Sequence, residues 1–76
     1  MSILTNMLKS FAKRESEYNI HMKRGKACLE QAEYVSNWLR ENKNQLNSFQ
    51  QHHAENLIKA ELRKADYQFH LAKQFL

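Results

Sequence analysis

The sequence predicts an all-α protein: a long antiparallel helical hairpin of coiled-coil type, with a short N-terminal helical arm and dimerisation into a four-helix bundle expected. Three observations lead there. One glycine and no proline in 76 residues leave almost nothing to interrupt a helix. Apolar residues recur at alternating steps of four and three along both halves of the chain. Between the halves this row stops at a short polar stretch. The chain reads as a single helical domain over residues 1–76, with helix 1 at about 2–42, a turn at about 43–47 and helix 2 at about 48–75. A chain of this size buries only about 60% of its unfolded surface, so a regular fold or a partner is needed for stability.

In the first half the row runs Leu4, Leu8, Phe11, Glu15, Tyr18, Met22, Gly25, Leu29, Ala32, Ser36, Leu39. Large apolar residues dominate it, as in the seam of a coiled-coil helix, and Glu15, Gly25 and Ser36 interrupt it. The polar stretch RENKNQ then separates Leu39 from Leu46 and carries Asn42 and Asn44, residues suited to a left-handed helix end. Ser48 followed by Gln51 has the spacing of a capping box that starts the second helix. Beyond it two rows run side by side. One occupies positions 46, 50, 53, 57, 60, 64, 67 and 71; the other reads Ile58, Leu62, Ala65, Phe69, Ala72, Leu76. Together they make an apolar face wider than one neighbouring helix covers.

Folding the chain about residue 44 brings Leu39 near Phe49, Ser36 near His53, Ala32 near Leu57 and Leu29 near Ala60. Gly25 then falls near Leu62 or Arg63, Tyr18 near Phe69 and Glu15 near Lys73. Small residues face large ones in consecutive layers, as void-free packing requires. In this register the second helix ends opposite about residue 12. Ile3, Leu4, Met7, Leu8 and Phe11 are left as an apolar stripe with no partner in the hairpin, and such stripes mark interfaces. Tyr34 and Trp38 lie to the side of the seam, where half-exposed aromatics serve as interface anchors.

Little in the sequence carries chemistry. His52 and His53 are adjacent and diverge by about 100° on a helix, so one metal cannot take both from the same face. The pairs His52/Glu55 and Asp66/His70 offer two ligands each, short of the three or four that zinc requires. The simpler roles are His53 in the seam bonded to Ser36, and His70 as a surface neighbour of Asp66. No metal and no cofactor is expected. Cys28 lies beside the seam as a small apolar residue, and a lone cysteine forms no internal disulfide; a cytoplasmic location is expected. Neither a glycine-rich phosphate loop nor the makings of an oxyanion hole are present, so the chain is not expected to be an enzyme. The opening MSILTNMLKSF lacks the pattern of a secretory leader, and no apolar run reaches the ~20 residues of a membrane span.

The formal charge is +4, and six basic residues (Lys9, Lys13, Arg14, Lys23, Arg24, Lys26) fall in the first 26 positions. Lys9, Lys13 and Lys23 lie on the outer face of the first helix, where they could follow phosphates or steer the chain to an acidic protein surface. The expected function is that of a small non-enzymatic interaction protein, a regulator that sequesters or blocks a larger target or pairs with itself. Its anchors would be Ile3, Leu4, Met7, Leu8, Phe11, Tyr34 and Trp38, with Lys9, Lys13, Lys23 and Arg24 as a steering face. The alternative is a nucleic-acid-binding helical module that uses the basic face of the first helix. Short all-helical chains of this composition are common among accessory proteins of phages and mobile elements.

Overall fold

A computed structural model describes residues 3–76; the side chains of Leu4, Thr5 and Phe11 lie outside the described residues. Helix α1 spans Ile3–Asn42, a 3₁₀ turn spans Lys43–Gln45, and helix α2 spans Ser48–Lys73, folded back on α1 as an antiparallel hairpin. The rod measures 66 × 15 × 13 Å, close to the roughly 60 Å that a 40-residue helix spans at 1.5 Å per residue. Nothing along α1 stops it before Asn42, because the one glycine is held inside it by packing rather than left to fray.

The break comes at the expected stretch, by a different device. No described residue has a positive φ, so neither asparagine makes a left-handed cap. Instead, Asn42 stays at φ −112° and its Nδ2 donates to the Trp38 carbonyl at 2.8 Å, occupying one of the free acceptors at the helix end. The capping box of α2 sits one residue earlier than the Ser48/Gln51 spacing indicates. Asn47 is the N-cap: the Gln50 backbone N–H donates to its Oδ1 at 2.8 Å, and its own N–H donates to Gln50 Oε1 at 3.0 Å. Gln51 is thereby free for another task. Its Nε2 donates to the carbonyls of Lys43 (3.1 Å) and Leu46 (3.0 Å) and ties the turn to the first coil of α2.

The seam between the helices also differs from the expected rows. In α1 the buried or half-buried positions are Glu17, Tyr18, His21, Met22, Gly25, Cys28, Ala32, Val35, Ser36, Leu39 and Asn42. Positions 18, 22, 25, 32, 36 and 39 are shared with the expected row, 21, 28 and 35 join them, and 29 drops out. In α2 and its flanks they are Leu46, Gln51, Ala54, Ile58, Ala60, Glu61, Ala65, Gln68, Phe69, Leu71, Ala72 and Phe75. That keeps Ile58, Ala65, Phe69 and Ala72 from the second expected row, and only Leu46, Ala60 and Leu71 from the first. The residues classed as buried are all small: Gly25, Ala32, Ala54, Ala65 and Ala72. Small residues on both helices let the backbones approach closely, and the bulky side chains are turned out to the flanks. Leu29, expected in the seam, is 41% exposed for this reason.

Gly25 records how close the approach is. A Cβ added there would lie 2.7 Å from Phe69 Cδ1 and 2.8 Å from Cζ, inside van der Waals contact. Gly25 therefore meets Phe69, six or seven residues beyond the expected Leu62 or Arg63. Small does face large here, but the large partner arrives from the flank of α2. Of the other expected pairs, Ser36 and His53 make no hydrogen bond, and Glu15 and Lys73 form no ion pair among the described residues. Phe49, expected against Leu39, is 80% exposed.

Candidate functional site

Helix α1 has 40 residues and α2 has 26, so α1 outruns its partner. Residues 6–10 and 12–16 are all exposed, and partial burial begins at Glu17 and Tyr18. The arm thus stands free of α2. Ile3 (78% exposed), Leu8 (61%) and Met7 present apolar surface there, while Leu4 and Phe11 were expected beside them and have side chains outside the described residues.

The point where α2 ends is closed by His21, a residue to which sequence reasoning assigned no role. Its Nδ1–H donates to Gln68 Oε1 at 2.7 Å, its Nε2 lies 3.7 Å from Glu17 Oε2, and its ring stacks on Phe75 at 5.8 Å with 15° between planes. Spacing alone could have found the Glu17/His21 contact, four residues apart on one helix. The contacts to Gln68 and Phe75 depend on the register of two helices and carry no local signal.

At the opposite end of the rod, Tyr34 and Trp38 of α1 meet Leu46, Phe49 and Leu57 around an apolar groove of about 490 Å³, floored by Val35 and Ala54 and edged by Gln50 and His53. The hairpin brings these two aromatics together with Phe49 on one side of the molecule. Tyr34 is 66% exposed. The other side carries a second apolar band. Leu8, Met22 and Leu29 lie on one seven-residue row along α1, interrupted by Glu15, and Leu62, Phe69 and Leu76 repeat every seven residues along α2. Phe69 reaches Gly25, one helical turn from Leu29, so the two lines run side by side.

Lys9, Lys13, Lys23 and Arg24 are exposed, and none makes an ion pair among the described residues. His52 Nδ1 lies 3.7 Å from Glu55 Oε2, and no third ligand joins them; among the described residues no three His, Cys, Asp or Glu side chains gather. Asp66 and His70 border one shallow surface depression without pairing. Cys28 is a free thiol and half-buried. Among the described residues, no helix is long and apolar enough to cross a membrane. The surface offers apolar area in bands, flanked by exposed charges. No protein family, curated protein or solved structure gives a match to the chain.

Proposed function

We propose that the chain is a non-enzymatic protein–protein interaction module, a small regulator that sequesters or blocks a larger target by completing a helical bundle with it. One observation supports this reading above the rest. The buried side chains are alanines, whose four methyls contribute on the order of 3 kcal/mol, while twelve large apolar residues among those described stay substantially exposed. A hairpin of this kind gains far more by covering its flanks than by closing its own seam. The band of Leu8, Leu29, Leu62 and Leu76 is the docking face for the target, in the manner of a helix pair laid against a groove. Lys9, Lys13 and Lys23 beside the arm steer the encounter toward an acidic surface.

Nucleic-acid binding is the second reading, favoured by where the charge lies. Residues 1–26 and 63–76, which form the open half of the hairpin, hold nine Lys and Arg against three Asp and Glu. One experiment separates the two. The protein is immobilised and challenged with lysate of its source cells at 50 and 200 mM salt, beside the variant Leu8→Asp/Leu29→Asp. Capture of a protein that persists at the higher salt and is lost in the variant supports target docking. Capture of nucleic acid that collapses by orders of magnitude between the two salts, and that the variant retains, supports the second reading instead.

A further inference from the structure

We propose that the chain pairs with a second copy of itself, antiparallel, through a self-complementary stripe on α1. Ile3 and Met7 of each copy seat against Trp38 and Tyr34 of the other. The proposal rests on reading the exposed apolar flanks as interaction surfaces, and it concerns the flank opposite the target-docking band.

Residues 3, 10, 17, 24, 31 and 38 recur every seven residues and form one line along α1, with Met7, Arg14 and His21 on its seam-facing edge and Ile20, Ala27 and Tyr34 on its outer edge. Within this stripe Ile3, Met7, Ser10, Arg14, Ile20, Arg24, Ala27, Gln31, Tyr34 and Trp38 are exposed, and Glu17 and His21 are half-buried. The arm contributes because α2 stops short of it, which uncovers Met7 and Arg14. The spacing is unchanged when the row is read backwards, so a two-fold axis near Ile20 and His21 superimposes it on itself. Under that axis Ile3 meets Trp38, Met7 meets Tyr34, Ser10 meets Gln31 and Glu17 meets Arg24, each twice. Apolar falls on apolar at both ends, Ser10 on Gln31 and carboxylate on guanidinium further in, while Arg14 falls on Ala27 and Ile20 on His21. Arg24 pairs with no carboxylate of its own copy among the described residues. A parallel pairing would instead set Arg14 against Arg14, Glu17 against Glu17 and Arg24 against Arg24.

The charge of the whole rod points the same way. The open half carries a net +6, whereas residues 27–62 hold three Lys and Arg against five Asp and Glu, a net −2. Antiparallel pairing lays the basic end of one copy on the acidic end of the other. The area also suffices. A stripe of 36 residues is about 54 Å long, and at a width of about 10 Å it removes roughly 1,100 Å² from water over the two copies, above the ~1,000 Å² that marks a specific interface. Leu57, beside Trp38 in the turn-end groove, adds to this.

The test combines mass with distance on the full chain. Light scattering across a concentration series is expected to give twice the 9.1 kDa of one chain. A nitroxide on Lys9→Cys, in a Cys28→Ala background, would lie opposite position 32 of the partner, so its two copies should read about 35 Å apart, 23 residues of helix rise. Charge reversal supplies the pairing: Glu17→Arg and Arg24→Glu should each weaken the dimer about tenfold, with two exposed pairs reversed at once, and the double variant should restore it. A monomer at every concentration overturns the proposal and leaves target docking to the capture experiment above. Labels closer than about 20 Å, as helices side by side in parallel require, overturn it too. So does a double variant no tighter than the singles, or an assembly that keeps growing with concentration.

Discussion

Replacing Gly25 by alanine sets two known effects against each other. Glycine inside a helix is less favourable than alanine by about 0.8–1.0 kcal/mol, so an uncrowded site would gain that much. At Gly25 the new methyl would fall 2.7–2.8 Å from atoms of the Phe69 ring, more than half an ångström inside normal contact. Forcing one extra carbon into a filled space costs about 1–3 kcal/mol, through a displaced side chain or a shifted backbone. Phe69 is half-buried and its ring can give way only by leaving the groove over Gly25, which exposes apolar area. The expected net effect is destabilisation by about 1 kcal/mol, a fall in Tm of roughly 4–8 °C for a domain of this size. Thermal unfolding followed by circular dichroism at fixed protein concentration measures it, since any self-association makes Tm concentration-dependent. The decisive comparison is the double-mutant cycle with Phe69→Ala. In that background the obstruction is gone, and Gly25→Ala should stabilise by the helix-propensity gain of about 1 kcal/mol. If Gly25→Ala stabilises the otherwise unaltered chain by the same amount, the two helices do not approach at Gly25 and the small-residue seam is wrong.

Other substitutions probe the remaining elements. Asn47→Ala removes the N-cap of α2 and should cost about 1 kcal/mol, read as a lower denaturation midpoint, with Ser48→Ala nearly neutral because Ser48 caps nothing. Ala65→Leu crowds a residue only 1% exposed at the centre of the seam and should destabilise by about 1–3 kcal/mol, measured in the same melt. Leu8→Asp lies on the free arm and should leave the melting of the hairpin within about 0.5 kcal/mol of the parent; a larger loss would mean that the arm folds back onto α2.

Much of this architecture is written locally, residue by residue. The near absence of glycine and proline determines helix throughout, since no other element tolerates 40 residues without a break. The gap in the apolar row between Leu39 and Leu46 determines where the chain turns, because a helix that turned elsewhere would expose its own seam. The surplus of leucine and aromatic side chains over what two helices can cover, and the exposure of Ile3, Met7 and Leu8 beyond the hairpin, were likewise legible from spacing; that Leu8 falls on a different flank from Ile3 and Met7 was not. So was the isolation of Tyr34 and Trp38 from the seam.

The choice between neighbouring rows was decided by the tertiary structure. With 3.6 residues per turn, positions 22, 29 and 36 and positions 21, 28 and 35 lie one residue apart on α1, and both rows alternate with 18, 25 and 32. Hydrophobicity favours the row containing Met22 and Leu29. The structure half-buries His21, Cys28 and Val35 alongside Met22 and Ser36 and turns Leu29 out, because the close approach recorded at Gly25 leaves room only for small residues between the backbones. That condition belongs to the pair of helices and is written in neither alone. The same reason explains His21, whose partners Gln68 and Phe75 come from α2. The N-cap moved from Ser48 to Asn47 because Gln51 is claimed by carbonyls across the turn, which leaves Gln50 to close the box. Helix and turn follow from the order of residues along the chain; the seam follows from how near two finished helices can come.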